Sequence, residues 1–152
     1  MSKKPVKPCP TKRATPLSVQ AKAFAVAADL AEGVGVTPPR IFFDGGRGLR
    51  GARFGRDSGG WLIKLQDARR WTSRMEYLLL HEFAHYWLEL RGEDSWLHGD
   101  LFVRTLAELL QRRDRVYTRP IYEYKLVVDR LKHLPEYRYV RDALIVKDVK
   151  PR

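Results

Sequence analysis

The stretch His81-Glu82-Phe83-Ala84-His85, followed after twelve intervening residues by His98, decides what this chain can be. On an α-helix, residues i and i+4 lie on one face about 6 Å apart, so the imidazoles of His81 and His85 can bind one metal ion. Glu82 lies about 100° around the helix from His81, where it can reach a water molecule on that metal without being a ligand. The pattern therefore predicts a metal site with a carboxylate base beside it.

The residues around this motif predict that it lies within a single helix of about 18 residues. Ser73 and Glu76 have the Ser-x-x-Glu spacing of a capping box at the start of a helix. A long apolar stretch follows from Met75 to Leu90, and Gly92 is suited to end the helix. The motif is thus expected on the element that its chemistry requires.

His98 is expected at the entrance of a second helix. A polar turn at residues 92–95 precedes apolar side chains at helical spacing, which are Leu101, Phe102, Thr105, Leu106, Leu109 and Leu110. A short turn makes the two helices neighbours and brings His98 toward His81 and His85. Three protein ligands with one open position are typical of catalytic Zn²⁺, whereas structural zinc sites are usually closed by four ligands and use Cys. The only cysteine is Cys9, and the fourth histidine, His133, is predicted to be a surface or core residue because no motif surrounds it.

These segments, His81 to Leu88 and His98-Gly99-Asp100-Leu101-Phe102, resemble the SprT-like family of small zinc metallopeptidases, which are minimal zincins. They are also similar to short metallohydrolases of bacteria and their phages. The resemblance implies an α+β fold in which an amino-terminal helix and a small sheet precede the motif helix and a second ligand-bearing helix. It also implies His81, His85 and His98 as zinc ligands and Glu82 as general base. The better known members add a carboxy-terminal zinc ribbon with four cysteines, which is not expected here.

Length and composition predict one globular domain. The chain has 152 residues, 44% hydrophobic content and a single cysteine, so neither a disulfide framework nor a structural metal is needed for a core. No segment is suited to be a signal peptide or a membrane span, and a reducing cytoplasm is the expected location. Residues 1–14 contain five Lys or Arg, three Pro and no acid, which predicts a disordered basic tail before a domain at 15–152.

The remaining elements are predicted from local patterns. An amphipathic helix is expected with Thr15 as its cap and Pro16 at its first position, running to about Glu32 and ended by Gly33. Short strands are predicted at Ile41–Phe43 and, as a hairpin around residues 56–60, at Ala52–Phe54 and Trp61–Lys64. By the resemblance to zincins, the 52–64 region is the candidate edge that aligns an extended peptide with the metal, although it could be a purely structural hairpin. Beyond Arg113, residues 120–131 fit either a helix or a strand, and residues 137–146 resemble short strands.

The net charge of +11 suggests a second property. Two groups of arginines could contact phosphates, one at Arg47, Arg50, Arg53 and Arg56 and the other at Arg112, Arg113, Arg115 and Arg119. Charge alone supports only weak, unspecific and salt-sensitive binding to nucleic acid, and a solvated basic surface is the simpler interpretation.

The sequence therefore predicts a zinc metallopeptidase that hydrolyses peptide bonds of a protein or peptide substrate. In this mechanism Glu82 takes a proton from zinc-bound water. Two alternatives are a zincin-like regulatory factor that acts on one protein partner, and a non-enzymatic basic nucleic-acid-binding module with structural zinc. The Trp96-Leu97 pair is expected to pack rather than to line a substrate pocket, and the oligomeric state is not predicted.

Overall fold

The computed structural model describes residues 14–45, 51–113, 117–119, 132–133, 135 and 144–146. The three helices of this part of the chain are α1 (Leu17–Val34), α2 (Ser73–Leu90) and α3 (Asp100–Arg113). The strands are β1 (Arg40–Asp44), β2 (Ala52–Asp57), β3 (Gly60–Gln66), β4 (Tyr117–Arg119) and β5 (Leu144–Val146). The fold is therefore mixed α+β, with α1 and a small sheet before the motif helix α2, in the predicted order.

Helix α1 is displaced by one or two residues from its predicted bounds. Pro16 occupies the N-cap position without a capping side chain, because the hydroxyl of Thr15 donates to the carboxylate of Asp67 instead. The predicted end at Gly33 is wrong, because Gly33 stays helical and the left-handed conformation that ends the helix is adopted by Gly35, at φ 74°. The bond from Thr15 fixes the start of α1 to the segment that follows β3.

The first three strands form one sheet in the order β1-β3-β2. Strand β1 runs parallel to β3, and β2 runs antiparallel to it across a hairpin with Ser58 and Gly59 at the turn. The carboxylate of Asp57 accepts hydrogen bonds from the guanidinium of Arg40 and from the amide of Gly59. The Arg40 contact holds the pKa of Asp57 below its usual value. The predicted strand at Ile41–Phe43 and the predicted hairpin are both confirmed, each slightly longer than expected.

Strand β2 has a free edge within the part of the chain that the structure describes. Its neighbour in the sheet is β3, and no other described strand pairs with it. Gly51 accepts a hydrogen bond from the amide of Gln66 at 2.8 Å, which sets the alternation of the ladder. Residues 53, 55 and 57 consequently direct their backbone groups at β3, and residues 52, 54 and 56 direct theirs away from the sheet.

Helix α2 is the central element, since it contacts α1, α3, the sheet and β4. Twelve of its 18 residues are buried. The predicted capping box is wrong: Thr72 is the N-cap and its hydroxyl accepts from the amide of Met75 at 3.2 Å. Glu76 is instead buried and forms an ion pair with Arg113 of α3. The helix ends as predicted before Gly92, which has φ 69°.

Strands β4 and β5 form a separate parallel pair. Leu144–Val146 is thus a strand as the pattern of residues 137–146 suggests, and the other residues of that segment lie outside the described part. The basic tail at residues 1–13 and the segment 120–131 also lie outside it. Among the described helices, none combines the length and the apolar composition that crossing a bilayer requires.

Candidate metal centre

The three predicted histidine ligands meet at one point between α2 and α3. His81 and His85 lie one turn apart on α2, and His98 precedes α3 by two residues. The Nε2 atom of His98 lies 3.1 Å from Nε2 of His81 and 3.2 Å from Nε2 of His85. The sequence spacing therefore predicted the convergence of these three side chains, and the group can hold a metal ion.

The distances fit a tetrahedral metal site. Ligands about 2.0 to 2.1 Å from a tetrahedral Zn²⁺ are about 3.3 Å from one another, close to the separations between these ring nitrogens. Three imidazole nitrogens that point at one another cannot all be paired by hydrogen bonds among themselves. Each nitrogen offers only one proton or one lone pair, so a bond between two of them does not include the third. The group comprises three residues among the described His, Cys, Asp and Glu, which leaves the fourth direction of a tetrahedron to another molecule.

The protonation of His85 follows from its neighbour Ser95. The Nδ1 atom of His85 contacts the backbone carbonyl of Ser95 in the loop between α2 and α3. A carbonyl oxygen only accepts, so Nδ1 carries the proton and donates it. The lone pair of His85 is therefore on Nε2, the atom that faces the other two histidines.

Phe102 of α3 is an apolar side chain that packs against all three histidines. Its ring centroid lies 4.8 Å from that of His81, 4.4 Å from that of His85 and 4.8 Å from that of His98. Phe102 itself is 1% exposed. One buried aromatic side chain thus packs against all three candidate ligands and restricts the directions in which their rings can turn.

Glu82 lies at the free edge of β2. Its carboxylate oxygen Oε2 accepts a hydrogen bond of 2.8 Å from the backbone amide of Phe54, one of the amides that the ladder directs away from the sheet. Glu82 is half-buried, and it does not belong to the group of metal-binding atoms. The sheet edge, the carboxylate and the histidine group are therefore neighbours.

Aromatic side chains surround Phe54 at the rim of the site. The ring of Phe54 is 5.3 Å from that of Trp61 and 5.9 Å from that of Trp96, between centroids. The expected packing is seen for Trp96, whose ring contacts Phe54, but Trp96 and Leu97 are also 66% and 65% exposed. Both lie in the loop between α2 and α3 that carries His98.

Tyr86 connects α2 to the segment before β1. It is buried, and its hydroxyl donates to the backbone carbonyl of Thr37, just before β1. Burial raises the pKa of the Tyr86 hydroxyl, because the charged phenolate would lose its hydration. Tyr86 therefore stays protonated at neutral pH and links α2 to the segment that leads into the sheet.

The fourth histidine lies outside the group. His133 is exposed and its Nε2 lies 3.3 Å from a carboxylate oxygen of Asp100, at the start of α3. This agrees with the predicted surface role.

The predicted basic groups are only partly accessible. Arg53 and Arg56 are exposed on β2, and the guanidinium of Arg56 lies 4.9 Å from the ring centre of Trp61. Arg112 is also exposed, although it donates to the carbonyl of Gly33, whereas Arg113 is partly buried and contacts Glu76 and Asp29. Arg47, Arg50 and Arg115 lie outside the described residues, and the side chain of Arg119 is likewise not described.

The sequence did not identify three contributors to the site: the amide of Phe54, the carbonyl of Ser95, and Glu89, which accepts a hydrogen bond from the hydroxyl of Ser95. The first two are backbone atoms, whose positions cannot be inferred from residue type. Glu89 could have been found from its spacing, since it is four residues after His85 and seven after Glu82, on the same face of the helix.

Comparison with protein-family models, with curated protein sequences and with solved structures finds no match to this chain. The assignment of a function therefore depends on the geometry of the site.

Proposed function

We propose that this protein is a zinc-dependent metallopeptidase with the fold of a minimal zincin. The observation that supports the proposal is Glu82, which follows the candidate ligand His81 on α2, is not one of the three metal-binding residues, and accepts a hydrogen bond from the amide of Phe54 on the free edge of β2. Three imidazoles with one open direction are the ligand set of catalytic zinc. A metal that only stabilised the fold would not need a half-buried carboxylate directly after one of its ligands in the helix.

Bound zinc would polarise the carbonyl of the scissile peptide bond and lower the pKa of a water molecule toward about 7. Glu82 would accept a proton from that water as the new carbon–oxygen bond forms. When the carbon–nitrogen bond breaks, Glu82 would return the proton to the leaving amine. The hydrogen bond from Phe54 would hold the carboxylate in position for both transfers.

The free edge of β2 would position the substrate. An extended polypeptide placed along this edge could bond to the outward backbone groups of residues 52 and 56, on either side of the amide that contacts Glu82. Such binding recognises main chain and requires an unfolded or flexible segment. Exposed apolar side chains at the rim, Trp96 and Leu97, are suited to contact its side chains. We therefore propose unfolded protein segments as the substrate class.

Substitution of Glu82 by Gln tests the catalytic role. Glutamine keeps the size of the side chain and can still accept the hydrogen bond from Phe54, but it cannot take a proton from water. We expect hydrolysis of an unfolded protein substrate to fall by about two to four orders of magnitude, the usual contribution of a general base. Cleavage is measured by gel or by a fluorogenic peptide, and zinc content by elemental analysis.

The matched control is His81→Ala, which should lose zinc and activity together, whereas Glu82→Gln should keep about one zinc per chain. Unchanged cleavage by zinc-loaded Glu82→Gln protein would rule out this mechanism.

A further inference from the structure

We propose that Ser95, anchored by Glu89, is a positioning residue of the metal centre. It orients His85 and fixes the position of the loop segment that leads to His98. This inference rests on the proposed metal centre, but it does not depend on the reaction that the centre catalyses. Neither Ser95 nor Glu89 belongs to the metal-binding motif.

The burial of Ser95 sets it apart from the loop in which it lies. Ser95 is 1% exposed, whereas its neighbour Trp96 is 66% exposed and Asp94 is also exposed. A polar side chain in a loop is normally solvated, and burying it costs free energy unless it is hydrogen-bonded. The loop therefore bends inward at this one residue, and its hydrogen bonds must compensate.

Ser95 makes two separate bonds to α2. Its hydroxyl donates to the carboxylate of Glu89, and its backbone carbonyl accepts the Nδ1 proton of His85. Glu89 is one helical turn beyond His85, so both partners lie on the same face of α2. The charge-assisted bond to Glu89 holds Ser95 where its carbonyl can reach the imidazole.

The same residue also controls the third ligand. Ser95 precedes His98 by three residues, and the chain enters α3 two residues after His98. With Ser95 fixed on α2 and α3 packed against α2, the short segment between them has little freedom to move His98 away from His81 and His85. Ser95 thus links two of the three ligands, one through its carbonyl and one through the chain.

Loss of the anchor should weaken the metal site more than the fold. Removing the partner that orients a ligating histidine typically lowers metal affinity about 10- to 100-fold. In Ser95→Ala the carbonyl remains but is no longer held by Glu89, so we expect a zinc dissociation constant raised within that range. Ser95→Thr keeps the hydroxyl and should restore affinity to within about threefold of wild type.

The experiment measures zinc affinity of the full chain by competition with a chromophoric chelator for wild type, Ser95→Ala, Ser95→Thr and Glu89→Ala. The absorption spectrum of the cobalt-substituted proteins reports ligand geometry, which a purely structural change would not alter. The matched control is Thr105→Ala, because Thr105 is also a buried hydroxyl with two hydrogen bonds but contacts none of the three histidines in them. Thermal unfolding of the zinc-free proteins measures the cost to the fold in each case.

The proposal expects weaker zinc binding and a changed cobalt spectrum in Ser95→Ala and Glu89→Ala, with both properties near wild type in Thr105→Ala. The double variant of Ser95 and Glu89 should bind zinc about as weakly as either single variant, because both remove the same anchor. Wild-type zinc affinity in Ser95→Ala and Glu89→Ala would overturn the proposal and leave the proposed peptidase intact. Absence of zinc binding by wild type would overturn both.

Discussion

At the scale of single residues, three sets of contacts define the candidate metal centre. The three histidines face one another, Phe102 packs against all of them, and the amide of Phe54 donates a hydrogen bond to Glu82. Ring orientation matters because a zinc ligand must direct a lone pair at the metal. Phe102 is therefore expected to contribute to metal affinity although it cannot bind metal.

Substitution of Phe102 by Leu tests this role. Leucine fills most of the volume but has no flat face against which the three imidazoles can pack. We expect zinc affinity to fall about tenfold, in the range for residues that orient ligands. The control is Phe83→Leu, since Phe83 is also buried on α2 but packs against Tyr86. Chelator competition and unfolding of the zinc-free forms are measured for both variants, and an equal loss of zinc affinity in both would contradict a specific role of Phe102.

The convergence of the three histidines was predictable from sequence because helical geometry fixes the relation of His81 to His85, and a short loop limits where His98 can lie. Ser95 and Phe54 were not, because they act through backbone atoms brought together by tertiary packing. The start of α2 shows the same limit. Thr72 and Ser73 are both suitable caps by type, and residue type alone does not choose between them.

At the scale of elements, α2 and α3 are joined at both ends. The loop with Ser95 joins them near the metal centre, and the ion pair between Glu76 and Arg113 joins the start of α2 to the end of α3. The side chains of Glu76 and Arg113 are 4% and 14% exposed, so neither can recover its hydration if the other is removed. This pair is expected to stabilise the position of α3 relative to α2.

Substitution of Glu76 by Ala should lower the free energy of unfolding by about 3–5 kcal/mol, because it leaves the Arg113 charge without its buried partner. Asp29→Ala is the control. Asp29 contacts the same guanidinium at 3.5 Å but its side chain is 67% exposed, so its removal should cost no more than about 1 kcal/mol. Urea denaturation of the zinc-free proteins measures both values. Similar losses in the two variants would show that burial of Glu76 contributes nothing beyond a surface ion pair.

At the scale of the whole molecule, the distribution of charge separates the proposed peptidase from the nucleic-acid-binding alternative. The net charge is +11, and of the predicted basic groups Arg53, Arg56 and Arg112 are exposed, while Arg113 is paired with the buried Glu76. Charge that is spread over a surface favours binding through phosphate contacts and the release of counterions, without recognition of bases.

Binding of the full chain to single-stranded DNA should therefore be weak, insensitive to sequence and steeply reduced by salt, as a linear fall of log affinity with log salt concentration. Arg53→Gln together with Arg56→Gln should reduce the slope by up to about two phosphate contacts, while Glu82→Gln should leave it unchanged.

Removing zinc with a chelator distinguishes the two functions, because a module that uses zinc only for shape would lose DNA binding with the metal. The peptidase should lose proteolysis on chelation yet keep most of its salt-dependent DNA binding, since surface arginines and not the metal carry it. Fluorescence anisotropy over a salt titration, with and without chelator, measures the difference. Loss of DNA binding in step with loss of zinc would instead favour the binding module.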